Sequence, residues 1–302
     1  LADVTAAECL DLLDLTKQLK TEQKKGGNRP LLRGKTLGMV FQKPSLRTRV
    51  SFEVGMLQMG GHALYLSPNE IRLGERESTP DVARVLGRYV DAIMARVFAH
   101  SDILTLAAYA PVPVINGLSD TFHPCQALAD IFTLYEQWEG VLAGHTMAYV
   151  GDGNNVAHSL LFASALTGVN IRVASPPGYE PQSAVVQQAR SLPTAGEITI
   201  TNDPLRAVDG AEAIYTDVWT SMGQEIEQQK RLRVFPPFQV NTELLAHADQ
   251  DVIVLHCLPA HRGEEITSEV IDGPHSRVFD QAENRLHAQK ALLVRLMAGE
   301  EV

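Results

Sequence analysis

Two successive sets of short apolar runs, each interleaved with segments of helical period, constrain this chain more than any other feature. The first set contains TLGMVF (36–41), HALYLS (62–67), AIMARVF (92–98) and PVPVING (111–117). Helical patterns start near Arg47, at 81–90 and at 101–110, and a further one covers Pro124 to Trp138. The second set contains HTMAYVGDG (145–153), NIRVASP (170–176), EITITND (197–203), EAIYTDVW (212–219) and DVIVLHCLP (251–259), with a helix expected over 155–168. Strand–helix alternation builds βαβ units, and these force neighbouring strands to run parallel. The expected fold class is therefore α/β, with two open parallel-sheet domains. A first helix is expected where Leu10, Leu13 and Leu19 share one face, ending at KKGGNRP (24–30). A last helix is expected from about 282 to 297, and the domain boundary in EGVLAG, 139–144.

A chain of 302 residues has room for two such cores. Its net charge of −10 argues against a nucleic-acid partner, which usually requires a basic surface. It leaves room for a local basic pocket. Cys9, Cys125 and Cys257 are far apart and form no CxxC pair, which points to a reducing compartment. The first residues show no basic stretch ahead of an apolar one, and no apolar run reaches membrane-span length. A cytoplasmic protein without a membrane partner is expected.

In open α/β sheets, chemistry sits beyond the carboxyl ends of strands, so polar residues directly after strand candidates carry the functional reading. After TLGMVF come Ser45, Arg47, Thr48 and Arg49, at an expected helix start. Free N–H groups there favour an anion, and arginine offers a fork that matches phosphate oxygens. The same residues also read as an N-cap serine with solvated arginines. Arg96 lies in a strand, either facing outward or serving a site. His123 and Gln126, in FHPCQAL, share a helical face and could donate to a carbonyl and accept from an amide; His123 also reads as a cap or core group.

GDGNN (151–155) lacks the third glycine of a dinucleotide fingerprint, so no nucleotide cofactor is expected. Asn155 caps a helix or meets a carboxylate. Asp217 ends a strand, where it either caps a turn or binds an ammonium; Ser221 and Met222 follow it. Cys257 ends another strand and reads as a nucleophile or a core residue. His123 has no companions at metal spacing, and His256-Cys257 is too small a set, so no metal is expected. Arg285, near the start of the last helix, would ordinarily be solvated.

SLRTR (45–49), HPCQ (123–126), DVWTSMG (217–223) and HCLP (256–259), in this order and spacing, resemble the ornithine carbamoyltransferases of the aspartate/ornithine carbamoyltransferase superfamily. The resemblance covers essentially the whole chain. It implies a carbamoyl-phosphate domain over 1–139, with a C-terminal helix at about 283–302 packing back on it, and an ornithine domain over 140–282. Helices near the two chain ends would bridge the domains.

The resemblance also implies roles. Ser45, the backbone of Leu46, Arg47 and Thr48 would bind phosphate, with Arg49 structural. Arg96 would reach phosphate and the carbamoyl oxygen, and His123 and Gln126 would hold the carbamoyl group. Cys125 stands where the family usually has threonine. Asn155 and Asp217 would hold the α-carboxylate and α-ammonium of ornithine, under a loop with Ser221 and Met222. Cys257 and the Leu258 carbonyl would sit by the reacting amine, and Arg285 would point at the carbamoyl oxygen. Catalytic roles fall to Arg96, His123, Cys257 and Arg285, with no cofactor. A homotrimer is implied, with association of trimers into a higher assembly left open. Arg72 is placed on a loop that reaches a neighbouring subunit. Another acceptor (putrescine, an acylated ornithine or aspartate), a noncatalytic binding protein and an NAD dehydrogenase are the competing readings. The Asp217 and SMG positions favour free ornithine.

Overall fold

The computed structural model describes residues 1–220 and 225–298. The chain forms two compact units. The N-terminal unit comprises residues 10–132 and 284–302, and the C-terminal unit residues 1–9 and 133–283.

The N-terminal unit contains most of α1 (Ala6–Lys24), then β1 (Thr36–Phe41), α2 (Leu46–Gln58), β2 (His62–Leu66), α3 (Pro68–Ile71), α4 (Thr79–Leu86), β3 (Ala92–Arg96), α5 (His100–Tyr109), β4 (Val114–Leu118) and the start of α6 (Pro124–Gln137). Its sheet is parallel with strand order β2-β1-β3-β4. The C-terminal unit contains β5 (Thr146–Val150), α7 (Asn155–Thr167), β6 (Asn170–Ala174), α8 (Ser183–Arg190), β7 (Ile198–Thr201), α9 (Pro204–Val208), β8 (Ala213–Thr216), α10 (Gln228–Val234), α11 (Thr242–Leu245), β9 (Ile253–His256), α12 (Ser268–Ile271) and the start of α13 (Val278–Met297). Its sheet is parallel with order β7-β6-β5-β8-β9.

Helices α1, α6 and α13 each carry residues of both units. The division between the units falls inside α6, between Phe132 and Thr133, and the 139–144 stretch follows the end of that helix. A continuous helix shows no change of composition where it passes from one core to the next. For the same reason residues 1–9 group with the C-terminal unit although they begin the sequence.

Each sheet reverses its strand order once. β1 is followed by β2 on one side, and β3 then lies on the other; β5 likewise separates β6 from β8. These switch points open a crevice at the carboxyl edge, where ligands bind in such folds. Val40, Ile93 and Ala95 are buried together in the N-terminal core, and Ala148, Val150, Ile214 and Val254 in the C-terminal one. With the strands anchored by these side chains, the polar residues that follow them are held at fixed positions.

Two further features set the frame. In the N-terminal unit, the buried Lys290 ammonium of α13 donates to Asn28 Oδ1 at 2.6 Å and Gln58 Oε1 at 3.0 Å. Burial pushes its pKa down to about 8. In the C-terminal unit, a Cβ on Gly153 would collide with the backbone of Glu180 and Pro181. The glycine of GDGNN therefore serves close packing of two loops. No described helix is long and apolar enough to cross a membrane.

Candidate active site

At the β1–β3 switch point, Ser45 caps α2 with extended backbone, and its Oγ accepts from the Thr48 N–H at 3.3 Å. The two hydroxyls lie 3.1 Å apart. Arg285 Nη2 donates to Thr48 Oγ1 at 3.0 Å. A guanidinium only donates, so the hydroxyl proton of Thr48 remains to be offered elsewhere. Arg285 is only 3% exposed, which overturns the expectation of a solvated arginine. The helix period explains the difference: its neighbours Ala288, Lys290 and Leu293 are buried too, so this stretch of α13 is internal.

Arg96 ends β3 opposite Phe41 and is buried rather than facing solvent. His123 is buried just before α6. Its pKa lies well below the usual value, first because of burial and then because Arg285, Arg96, Lys43 and Arg47 repel a further positive charge. The imidazole is therefore neutral at pH 7 and able to donate one N–H. Gln126 is buried with Nε2 donating to Asp130 Oδ1 at 2.7 Å. A carboxylate only accepts, so this bond fixes the amide orientation and presents Oε1, which has no hydrogen-bond partner among the described residues. Cys125 packs behind, its Sγ 3.3 Å from the Asn116 carbonyl, and burial raises its pKa to about 11.

Leu46 is 75% exposed, so only its backbone belongs to the helix start. Arg49 turns away: its Nε donates to Glu53 at 3.2 Å and its guanidinium lies 3.9 Å from the centre of the Tyr65 ring. Arg72 is exposed in left-handed backbone (φ 43°) at the end of α3. Lys43, which sequence reasoning passed over, is largely buried with its ammonium 5.0 Å from the centre of the Phe98 ring. Burial, then Arg96, lowers its pKa to about 8, against a smaller opposing pull from Asp120.

A second cluster lies at the β5–β8 switch point. Asn154, not Asn155, caps α7; its Oδ1 accepts from the N–H groups of Val156 and Ala157 at 2.9 and 3.2 Å. Asn155 is the first residue of the helix. Asn154 Nδ2 donates to Asp217 Oδ2 at 2.8 Å. Asp217 Oδ1 accepts from the Val218 N–H at 2.8 Å and from the Cys257 thiol at 2.9 Å. A sulfur that donates to a carboxylate is a thiol, not a thiolate.

Leu258 has left-handed backbone (φ 56°), and its N–H donates to His256 Nδ1 at 2.9 Å. The other ring nitrogen, Nε2, lies 2.9 Å from buried Glu265 Oε1. The pairing fixes the tautomer, with the proton on Nε2, and braces the turn that carries Leu258. Ser221 and Met222 lie outside the described residues.

The fold brings Asp217 to His256 and Cys257, with one ligand-type atom from each inside a 4.8 Å span. The reading of His256-Cys257 as too small a set for a metal missed this third member, which is distant in sequence. As arranged, the imidazole nitrogens are engaged by Glu265 and the Leu258 N–H, and the sulfur donates to Asp217, so each of the three side chains is already held by hydrogen bonds.

Residues 1–136 match the aspartate/ornithine carbamoyltransferase carbamoyl-P binding domain, and residues 143–296 the Asp/Orn binding domain of the same enzymes. The chain belongs to the aspartate/ornithine carbamoyltransferase family. It is 56% identical to the anabolic ornithine carbamoyltransferase of Pyrococcus furiosus over 301 residues, covering 99% of this chain and 95% of that protein. It is likewise 56% identical to the ornithine carbamoyltransferase of Anoxybacillus flavithermus, covering 98% and 95%. The solved ornithine carbamoyltransferase structure from P. furiosus superposes with a TM-score of 0.96 at 55% identity, covering 99% of this chain and 96% of that one.

Lys43, Asn154 and Glu265 are the members of these two clusters that the motifs did not supply. Lys43 follows a strand as Ser45 does, and Asn154 has the ordinary N-cap preference, so both had a signal. Glu265 had none, because it meets His256 only through the loop between them.

Proposed function

We propose that the protein transfers the carbamoyl group of carbamoyl phosphate to the δ-amine of L-ornithine, releasing citrulline and phosphate. The observation that carries this reading is a neutral, buried His123 surrounded by four cations, Arg285, Arg96, Lys43 and Arg47, beside the start of α2. Such a cluster suits a ligand that combines a phosphate dianion with a carbonyl group.

The phosphate is taken by Ser45, Arg47, Thr48 and the Leu46 backbone. Gln126 Oε1 accepts from the carbamoyl NH2. Asp217 has lone pairs left beyond its three observed bonds, and these receive the α-ammonium of ornithine. Asn155 meets the α-carboxylate, and Ser221 and Met222 are assigned to the same amino acid by the family motif. Cys257 and the Leu258 carbonyl orient the δ-amine.

That amine, with a free pKa of ~10.4 by analogy with lysine, loses a proton before it attacks. Its lone pair adds to the carbamoyl carbon, and charge grows on the carbonyl oxygen. His123, Arg96 and Arg285 stabilise that charge. Collapse of the tetrahedral species breaks the C–O bond to phosphate, which leaves towards Arg47 and Thr48 and takes the second proton of the attacking nitrogen. Attack occurs directly in a ternary complex, without a carbamoylated cysteine, and the Cys257 thiol keeps its hydrogen bond to Asp217. The working assembly is a homotrimer in which the exposed Arg72 reaches a neighbouring subunit.

The test supplies carbamoyl phosphate with ornithine, putrescine, N-acetylornithine or aspartate in turn. Citrulline and phosphate are expected from ornithine in strong preference, by sequential kinetics. Preference for another acceptor overturns the substrate assignment, and ping-pong kinetics with a trapped carbamoyl-Cys257 overturns the mechanism.

A further inference from the structure

Behind Asp217, the C-terminal unit holds a buried ion pair for which the reaction described above has no role. Asp152 lies in the turn after β5, and its Oδ2 is 2.8 Å from Arg231 Nη1 on α10. Both side chains are buried. Arg231 also donates to the Trp219 carbonyl at 2.7 Å and, through Nε, to Glu227 Oε2 at 3.2 Å. Its guanidinium lies 4.8 Å from the centre of the Tyr179 ring and 5.6 Å from that of Phe235. Phe235 in turn packs against Trp219, with ring centres 5.8 Å apart. One arginine therefore ties together the turn after β5, the segment two residues beyond Asp217, and α10.

The charges make the same connection. Asp152 and Asp217 are close enough that Asp217 opposes ionisation of Asp152. Burial raises the Asp152 pKa to about 6, Arg231 pulls it down, and Asp217 and Glu227 add smaller upward pushes. Without Arg231, a buried carboxylate beside Asp217 would have no countercharge, and the Trp219 carbonyl would lose its donor. Truncating one member of a buried pair is more damaging than removing both charges.

We propose that Arg231, held by Asp152, is a positioning residue of the acceptor subsite. It fixes the Asp217–Trp219 segment and neutralises the second carboxylate, so that the Asp217 charge is directed at the ammonium of the amino-acid substrate. This inference rests on the assignment of Asp217 to that ammonium.

The test is steady-state kinetics on the full-length enzyme, paired with calorimetric titration of carbamoyl phosphate. Arg231→Gln should raise KM for ornithine tenfold or more, with carbamoyl-phosphate Kd within twofold of wild type. Adding Asp152→Asn to that variant should recover part of the loss, because the orphaned carboxylate is gone. Arg231→Lys, which keeps the charge but loses the planar fork, should fall between wild type and Arg231→Gln. It is the variant to read if Arg231→Gln does not fold.

Wild-type ornithine KM should also rise as pH falls through about 6, the pKa of Asp152, and Asp152→Asn should flatten that limb. A purely structural role would move both substrates and the melting temperature together, without this pH signature. Unchanged ornithine KM in Arg231→Gln and Arg231→Lys, or an equal loss for both substrates, overturns the proposal. A wild-type enzyme that turns over only a different acceptor would instead refute the ornithine assignment beneath it.

Discussion

At the carboxyl edge of the N-terminal sheet, four cations gather around one neutral imidazole, whereas at the edge of the C-terminal sheet a single carboxylate collects three donors. Both edges arise from the same topology, a reversal of strand order in a parallel sheet. What differs is the chemistry that follows each strand. Ser45, Arg47 and Thr48 follow β1 and Arg96 ends β3, while Asn154 follows β5 and Asp217 follows β8. The comparison teaches that the scaffold fixes where a ligand binds and the residues just past each strand fix its charge. An anionic donor fits the first edge and a cationic acceptor group the second.

The strongest way to break this contrast is to remove a buried cation from the first edge. Arg285→Met takes the guanidinium from Thr48 and should weaken carbamoyl-phosphate binding by about 2–5 kcal/mol, as truncation of buried charged contacts does. Isothermal titration gives the loss directly, and an affinity within a factor of two of wild type would remove Arg285 from the donor site.

Removing the charge from the second edge should have a somewhat smaller effect. Asp217→Asn keeps the shape but turns a charge-assisted contact into a neutral one, with an expected loss of about 1.5–3 kcal/mol in kcat/KM for ornithine. Initial-rate kinetics at saturating carbamoyl phosphate would show it.

The contrast sharpens with pH. Lys43 titrates at about 8 in the free protein, and a bound dianion raises its pKa. Carbamoyl-phosphate affinity is therefore full below about pH 8 and falls above it, with proton uptake on binding near that pH. Titrations in buffers of different ionisation enthalpy should reveal the uptake, and Lys43→Met should abolish it. His123, already neutral, should produce no step near its ordinary value of 6.5.

The smallest effect is expected from Arg49, which shares the SLRTR motif but faces the surface. Arg49→Ala should cost about 0.2–1 kcal/mol of stability, as an exposed ion pair does, and leave both substrates' affinities intact. Urea denaturation would measure it.

Much of this was legible in the sequence. Apolar runs marked the strands well: TLGMVF coincides with β1, and Ser45, Thr48 and Asp217, picked out as candidates beyond the strands, lie just past the ends of β1 and β8. Burial was harder to read. Arg285 lies on a helix with polar residues throughout, and only the packing around Thr48 shows that it is internal. Contacts between residues distant in sequence were not readable at all. Glu265 on His256, and Asp217 on Cys257, depend on register and loop paths that no local pattern encodes. Asn154 was displaced by its neighbour Asn155 because two adjacent asparagines offer the same cap, and only the backbone decides between them.

The division of labour between the two edges is tested most directly by titrating carbamoyl phosphate, in the absence of any amino acid, into wild type, Arg47→Ala and Asp217→Asn. Wild type and Asp217→Asn should bind with the same Kd, while Arg47→Ala should lose about 2–5 kcal/mol. Loss of binding in Asp217→Asn equal to that in Arg47→Ala would contradict the separation of donor and acceptor recognition.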